Sequence, residues 1–502
     1  MIERSADGGT QILERDAPVE RRHDAVPEPS GHREIARLAA ASAMLLLGRR
    51  VMITAASAVS TAIVARQIGV GGFGLLAATQ GVVLLVGGLA DFGFSIVLAR
   101  DLATSPTRRG ATLGASIRVA SATGFLSALV VVAVAAVSGF ASERGVVLLI
   151  LCPSLLLAGV GTVRQSYMVL YRTKRLAVID LATNLVQAAL MVLVARGGGG
   201  IDGVAITISC GAIANPLLVG LFGRRLIRAG RPGRDQVLGF VRAALPLGLA
   251  SFLSSLYFTV DLVLLGWLVS RPALGEYAAA VKVLNLLVQV PGFVMNAVLP
   301  GLSRLRDDRE ALSELAARVW HWLMTLGLPA CVAGAVFAPT IINVAFGGRY
   351  AGAVPMFQVL TVAAALALVS NVLGVLLNSV GIARAQVLQN SLAMVFNVVG
   401  NILLAPRFGP IASAWLTVAT ELIVDVGSIL ALRGRVDPRR AFAVSTKPLL
   451  ACAVLAVIGV ALAATPGLAI PVALAAFVLV LVLLGGWPAE LSMALHGRRG
   501  RA

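Results

Sequence analysis

The residues of this sequence that could do chemistry are charged side chains placed inside long apolar stretches. Asp261 and Lys282 lie in two such stretches, on either side of the polar turn 270–276. Each stretch has about 20 residues, enough to cross roughly 30 Å of hydrocarbon as a helix. Counted from the turn at about 1.5 Å per residue, both charges lie near 10–12 Å deep. They could form a structural ion pair, or Lys282 could bind an anionic substrate while Asp261 balances its charge.

Three arginines inside apolar stretches add to these cations. Arg49 and Arg50 lie near the start of the first stretch, and because neighbouring helical residues point about 100° apart, only one of them can face a cavity fully. Their alternative role is snorkelling to lipid phosphates. Arg164 has Tyr167 and Tyr171 at i+3 and i+7, which predicts one stripe for diphosphate contact and sugar stacking. The alternative for that stripe is an anchor at the membrane interface.

A further set of polar residues is mainly acidic. Glu421 and Asp425 lie at i and i+4 in one apolar stretch, and Asn397 lies in the stretch before it. Carboxylates and amides placed in this way could bind a proton or Na⁺ that drives transport, or could hydrogen bond helices together. No metal-ligand spacing or phosphate loop accompanies them, so we predict no metal site, no nucleotide and no cofactor beyond such an ion.

The elements that must position these residues are membrane-spanning helices. Of the 502 residues, 58% are hydrophobic and 13% are charged, whereas soluble domains have about 25% charged residues. This composition predicts an all-α polytopic membrane protein. Fourteen stretches have the length of a span: 42–65, 75–98, 112–138, 146–169, 176–195, 202–223, 243–268, 277–299, 321–345, 353–379, 385–405, 410–432, 446–464 and 468–487.

The distribution of positive charge predicts the orientation. The chain has 42 Lys and Arg residues and a net charge of +18, but most of these residues fall in alternate loops and in the tails. The positive-inside rule explains this pattern with both termini in the cytoplasm, so nucleic acid is not a predicted partner. The opposite loops are short and contain no room for a folded domain, which argues against an enzyme.

A weak internal repeat predicts the domain organisation. Gly74 in the segment 72–79 aligns with Gly275 in the segment 274–281. An offset of six helices gives two lobes of the same orientation. We therefore predict five parts, of which two are six-helix lobes: a disordered tail 1–36, an N-lobe 37–223, a basic linker 224–242, a C-lobe 243–433, and two added helices with a tail in 434–502.

The segment 64–103 resembles the opening of the oligosaccharide flippases of the polysaccharide-transporter family. The matching elements are Ala65-Arg66, Ile68-Gly69, Gly74, Asp91-x-Gly93 and Arg100-Asp101. The central stretch is also similar to this family, through Pro246, Asp261, Gly275-x-Tyr277, Lys282 and Pro300. The resemblance extends over nearly the whole chain and implies a multidrug/oligosaccharidyl-lipid/polysaccharide (MOP) exporter fold. It adds Asp91 to the candidate substrate-binding residues, with a helix cap or a pair with Arg100 as its alternative.

What the resemblance implies is alternating-access transport of a polyprenyl-diphosphate-linked sugar unit from the cytoplasmic to the outer leaflet. The expected location is the inner membrane of a bacterium, with the lipid-linked glycan and membrane lipids as partners. Polysaccharide polymerases and glycosyltransferases are further candidate partners. Two alternatives stay open: a drug/cation antiporter of the same superfamily, and a non-transporting scaffold for cell-envelope assembly. The cations inside the spans favour an anionic substrate.

Overall fold

A computed structural model of the chain describes residues 32–305, 308–435, 438–463 and 465–487. The predicted tail 1–36 lies mostly outside the described residues, as do residues 488–502. Within the described part, the chain is helical almost throughout. The helices in chain order are α1 His32–Asp91, α2 Phe94–Thr104, α3 Arg109–Val137, α4 Glu143–Leu151, α5 Ala158–Gly161, α6 Arg164–Val169, α7 Thr173–Arg196, α8 Gly200–Gly223, α9 Arg234–Leu268, α10 Arg271–Arg304, α11 Arg309–Val336, α12 Ala338–Phe346, α13 Ala353–Ser379, α14 Ala383–Phe408, α15 Pro410–Ala431, α16 Pro438–Ala461 and α17 Pro466–Leu483.

Twelve segments among the described residues are long and apolar enough to cross a membrane. One of them, Gly48–Thr104, has 57 residues and contains most of the first predicted span and all of the second. Helix α10, which carries Lys282, lies outside the twelve. The chain is thus a multi-pass, all-α membrane protein, while the count of fourteen spans and the position of the termini stay predictions.

A glycine divides the longest helix. Gly69 has φ 75° and ψ 170°, a conformation that is essentially restricted to glycine. The two arms of α1 therefore change direction at the Ile68-Gly69 pair of the family pattern. This bend places Arg49 and Arg50 on the first arm and Gly74 on the second.

Two halves of the chain pack against each other at one end of the molecule. We call α1–α8 the N-terminal half and α9–α15 the C-terminal half. The largest buried apolar cluster joins them and includes Ala65, Phe73, Tyr277, Phe346 and Tyr350. Since these side chains come from α1, α10, α12 and the turn before α13, their burial holds the halves together.

Polar contacts add to this contact region, which we call the sealed end. Tyr350 Oη donates to the Ala65 carbonyl at 2.8 Å, and Arg66 Nε donates to the Ala345 carbonyl at 3.0 Å. Arg271 of the C-terminal half forms an ion pair with Glu143 of the N-terminal half. Each contact joins the two halves, so all of them must break if the halves separate here.

The aligned glycines of the repeat meet at the sealed end. A Cβ on Gly74 would overlap the carbonyl oxygen of Arg271 and lie 2.8 Å from the Gly275 nitrogen. A Cβ on Gly275 would overlap the Val70 carbonyl oxygen. The second arm of α1 therefore crosses α10 with backbone against backbone, and only glycine allows this approach.

The last two helices pack on the outside of α11. Both ring nitrogens of His321 contact carbonyl oxygens, that of Val444 at 3.2 Å and that of Gly486 at 2.8 Å. Trp320 Nε1 donates to Ser445 Oγ at 2.6 Å. His321 thus joins α11 to α16 and to the turn after α17.

Candidate functional site

A cavity of about 1160 Å³ separates the two halves away from the sealed end. Helices α1, α6, α7 and α8 line one wall, and α9, α10, α13, α14 and α15 line the other. The lining reaches Arg50 and Asn378, which are exposed, so this is the open end of the cavity. In the predicted topology the open end faces the cytoplasm.

Three predicted cations line the wall formed by the N-terminal half: Arg49, Arg50 and Arg164. Arg164 holds both carboxylate oxygens of Asp180, with Nη1 donating to Oδ2 at 2.7 Å and Nη2 to Oδ1 at 2.8 Å. Arg49 Nη1 donates to the same carboxylate. Asn215 completes the group, since its Oδ1 accepts from Arg164 Nη2 at 2.8 Å. One buried carboxylate thus connects α1, α6, α7 and α8.

Local irregularity of the chain explains how Arg164 reaches this wall. The fourth predicted span is not one helix but α4, a 3₁₀ helix Cys152–Leu157 that begins next to Pro153, and the short helices α5 and α6. The chain then turns at Tyr171, which has φ 52°. The predicted stripe of Arg164, Tyr167 and Tyr171 depends on a regular helix, and the structure does not form it.

Lys282 lines the opposite side of the cavity, on α10. Among the described residues, the carboxylate ion pairs are those of Asp180, Asp101, Glu143 and Glu314, and none involves Lys282. The ammonium group therefore faces the cavity without a carboxylate partner from the described part of the chain. Lys282 and the arginines place positive charge on both walls of the cavity.

Asp261 does not pair with Lys282, which corrects the ion pair predicted from depth. Its Oδ2 accepts from Tyr277 Oη at 2.5 Å and its Oδ1 accepts from the Leu262 amide at 2.9 Å. Lys282 follows Tyr277 by five positions on α10, which turns it about 140° away around the helix. Similar depth in the membrane therefore did not bring the two charges together, and Asp261 lies outside the cavity lining.

Glu421 lines the cavity next to Tyr257, and Asp425 lies behind it on α15. Ser370 Oγ is 2.6 Å from Glu421 Oε2 and 2.7 Å from Asp425 Oδ1, so one hydroxyl joins the two carboxyl groups. Tyr257 Oη donates to Glu421 Oε1 at 3.0 Å. The i, i+4 spacing thus brings both acidic groups to α13 and α9.

The remaining predicted residues lie outside the cavity lining. Tyr167 is fully buried and donates its hydroxyl to the Val219 carbonyl at 3.1 Å. Asp91 Oδ1 accepts from the Ser95 amide at 3.3 Å and from Ser95 Oγ at 2.7 Å, so it satisfies a backbone donor in the first turn of α2, close to its predicted alternative role. Asn397 Oδ1 accepts from Asn401 Nδ2 at 2.9 Å within α14, and no described contact links it to Glu421 or Asp425.

Sequence reasoning missed four residues of the site: Asp180, Asn215, Tyr257 and Ser370. The sequence does indicate Asp180, because a lone carboxylate inside an apolar span is costly without a partner. Asn215 sits next to Pro216 in an apolar span, a weaker signal of the same kind. Tyr257 and Ser370 are common in membrane helices, so their types alone could not mark them.

The lining shows which chemistry the cavity can support. Guanidinium groups bind phosphate oxygens in a bidentate manner, and amide side chains can donate to and accept from sugar hydroxyls. The lining amides include Asn184, Gln187, Asn371 and Asn390. Within the described residues, no group of three or more His, Cys, Asp or Glu side chains could hold a metal ion. The cavity is therefore suited to a large anionic and hydroxyl-rich molecule.

Residues 63–355 match a protein family described as polysaccharide biosynthesis protein. The match covers more than half of the chain, and it includes the sealed end and Lys282. The chain belongs to this family. Family membership confirms the relationship that the motifs around Gly69, Gly74 and Gly275 predict.

Relatives of this family member come from archaea and bacteria. A "Probable flippase AglR" of Haloferax volcanii is 25% identical over 264 residues, which are 51% of this chain and 53% of the relative. An uncharacterized membrane protein of Methanocaldococcus jannaschii is 27% identical over 213 residues, covering 42% of this chain and 40% of the relative. The aligned regions thus span about half or less of these relatives.

Solved structures show which fold this family member has. The lipid II flippase MurJ in an inward closed conformation matches with a TM-score of 0.66 at 12% identity, covering 92% of this chain and 99% of that chain. An inward-facing multidrug resistance transporter of the MATE family, in the MOP superfamily, matches with a TM-score of 0.59 at 14% identity, covering 80% and 99%. The chain thus has a fold like that of MurJ and of MATE transporters, as the resemblance implies.

Proposed function

We propose that this protein is a flippase that moves a polyprenyl-diphosphate-linked oligosaccharide across the cytoplasmic membrane by alternating access. The observation that carries the proposal is the cavity between the halves, with arginines on one wall and Lys282 on the other. Fixed cations of this kind offset the cost of bringing a diphosphate into a membrane protein. The amides of the lining provide partners for the sugars, while the lipid tail can stay in the bilayer. The flippase name of an archaeal relative supports the same function.

Alternating access is supported by the distribution of contacts. The halves touch at the sealed end through Arg66, Tyr350, Gly74 and Gly275, and the cavity between them opens at the other end. Helix α9 also packs on α2, with Phe240 stacked on Phe94. Transport would require the sealed end to part and the open end to close. The helices of the two halves meet through non-covalent contacts rather than in a shared β-sheet, which allows such an exchange.

We further propose that Glu421 and Asp425 couple transport to a proton or Na⁺. Ser370 has one hydroxyl hydrogen, which can be donated to only one of the two carboxyl groups. The second short contact then needs a proton on a carboxyl group or a cation between the oxygens. Because Glu421 also lines the cavity, the charge of this pair can respond to the substrate. Asn397, the third predicted residue of the ion site, belongs to a separate polar cluster.

The test is the leaflet distribution of lipid-linked glycan after depletion of the protein in its native cells. We expect the complete glycan-lipid to accumulate on the cytoplasmic face, and wild type but not Lys282→Glu to reverse this. Lys174→Glu is the matched control, since Lys174 is exposed and lies outside the cavity lining. Unchanged glycan-lipids with new sensitivity to cationic drugs would support the antiporter instead, for which Tyr257 and Glu421 offer a cation-binding pair. If neither phenotype appears, the scaffold is the better reading.

A further inference from the structure

Asp180 has no part in the function proposed above, although it occupies the centre of the cationic wall. Its side chain is only 4% exposed, and its partners include Arg49 and Arg164, two cavity arginines. A carboxylate in this position weakens the attraction of the wall for an anion. Such a residue needs a reason other than binding the substrate directly.

We propose that Asp180 is an internal counter-anion that the diphosphate of the substrate displaces. The inference rests on the proposed flippase function and adds to it the residue that decides how the anion is recognised. In the empty cavity, Asp180 occupies the two guanidinium groups. When substrate enters, the phosphate oxygens take over these donors and Asp180 moves away from them.

The geometry of Arg164 supports competition. Two of its nitrogens hold the two oxygens of Asp180 in the bidentate arrangement that a carboxylate and a phosphate both fit. The Nη1 and Nη2 groups of Arg164 can together hold only one such anion at a time. A phosphate can therefore use Arg164 in this way only after Asp180 has left.

Hydrogen-bond partners are present both for the released Asp180 carboxylate and for the bound phosphate. Asn215 Nδ2 donates to Asp180 Oδ1 at 3.0 Å, and this bond can keep the released carboxylate hydrogen bonded. Arg49 Nε is buried and has no hydrogen-bond partner among the described residues, so it is available to a phosphate oxygen. The exchange thus need not leave a buried charge without a partner.

The charge of the wall matches a diphosphate. Arg49, Arg50 and Arg164 against Asp180 leave two positive charges, and a diphosphate diester carries two negative charges. A phosphate diester carries one and would gain less from displacing the carboxylate. Asp180 therefore favours diphosphate-linked over monophosphate-linked lipids.

Displacement also has a mechanical consequence. Asp180 lies on α7 and binds side chains of α1 and α6. While these bonds exist, the three helices are held together, and the substrate releases α7 from the other two. Empty protein would then change its conformation less readily than loaded protein.

The experiment measures binding of two diesters, glucosyl geranylgeranyl diphosphate and glucosyl geranylgeranyl monophosphate, to the purified full-length protein in detergent. Wild type should bind the diphosphate more tightly. Asp180→Asn should bind the diphosphate about tenfold more tightly than wild type does, since a charge-assisted hydrogen bond no longer has to be exchanged. Its preference for the diphosphate should also fall. Asp180→Glu keeps the competing charge and should restore wild-type affinity.

Each other result overturns the inference. Weaker binding by Asp180→Asn would mean that Asp180 only orients the arginines, and the proposed function would stand. A wild type that does not prefer the diphosphate would contradict both the inference and the proposed function. If Asp180→Asn alone does not yield a folded protein, the comparison is made in an Arg49→Gln background, where one buried cation fewer needs a counter-charge.

Discussion

Substitution of the two crossing glycines should open the sealed end. In Gly74→Ala, the new Cβ would overlap the Arg271 carbonyl oxygen and lie 2.8 Å from the Gly275 nitrogen. In Gly275→Ala, it would overlap the Val70 carbonyl oxygen. All these atoms belong to the backbone, so no side chain can rotate to make space. Because non-bonded contacts to carbon need roughly 3.5 Å, we expect the second arm of α1 and α10 to part by about 1 Å.

The size of the effect follows from the cost of overpacking. An extra methyl group in a tightly packed contact costs about 1–3 kcal/mol. This cost applies only to the conformation in which the halves touch here, so the ratio of sealed to open molecules should fall roughly 5- to 150-fold. The gain in helix propensity from Gly to Ala is the same in both conformations and cancels.

Spin labels on the two halves can measure this shift. Positions 140 and 344 are suitable, because Phe140 and Val344 are exposed and belong to opposite halves near the sealed end. After the native cysteines are replaced, pulsed electron resonance should show a longer distance population in both alanine variants. Gly239→Ala is the matched control, since a Cβ there has nothing within 4 Å. Distance distributions equal to those of the control would refute the conclusion that this glycine crossing holds the sealed end closed.

Two other predictions concern the two carboxyl groups of Glu421 and Asp425 and the last two helices. Ser370→Ala removes the hydroxyl that joins the two carboxyl groups. If the coupling ion is Na⁺, its concentration for half-maximal transport should rise about tenfold because a ligand oxygen is lost; if it is a proton, that concentration should fall, because a carboxylate without this donor binds a proton more tightly. Ser391→Ala, whose hydroxyl bonds within α14 outside the cavity lining, should change nothing, and an unchanged ion dependence in Ser370→Ala would argue against coupling at this pair. His321→Phe leaves two carbonyl groups without this partner, at a cost of about 1–3 kcal/mol, so amide exchange in α16 and α17 should quicken. Val457→Phe, at an exposed position of α16, is its control, and equal exchange rates in the two variants would show that His321 does not fix these helices.

The sequence predicted much of the cavity because intramembrane charge is costly wherever it lies. Arg49, Arg50, Arg164, Lys282 and Glu421 all line the cavity, as a charged residue in an apolar span must face protein or water rather than lipid. The same argument applies to Asp180. The cost of intramembrane charge therefore identifies residues that face the protein interior, but it does not show which of them contact each other.

The rotation of each helix about its axis determines which charged residues contact each other, and the sequence does not give this rotation. Asp261 and Lys282 were placed at equal depth, yet Asp261 bonds to Tyr277 and Lys282 faces the cavity. Depth follows from counting residues, whereas rotation depends on which side chains the neighbouring helices offer. The stripe predicted through Tyr167 was wrong for a different reason, because α6 ends at Val169 and the chain turns at Tyr171.

The sequence by itself determined that the protein is helical, lies in a membrane and belongs with the exporters whose motifs it carries. Those features depend on composition, length and local pattern, and each is readable along the chain. Only the tertiary structure decided that Gly74 meets Gly275, that one hydroxyl joins Glu421 to Asp425, and that Asp180 holds two arginines. These contacts join residues that are far apart in sequence, and they exist because helix packing fixes the position and rotation of each helix at once.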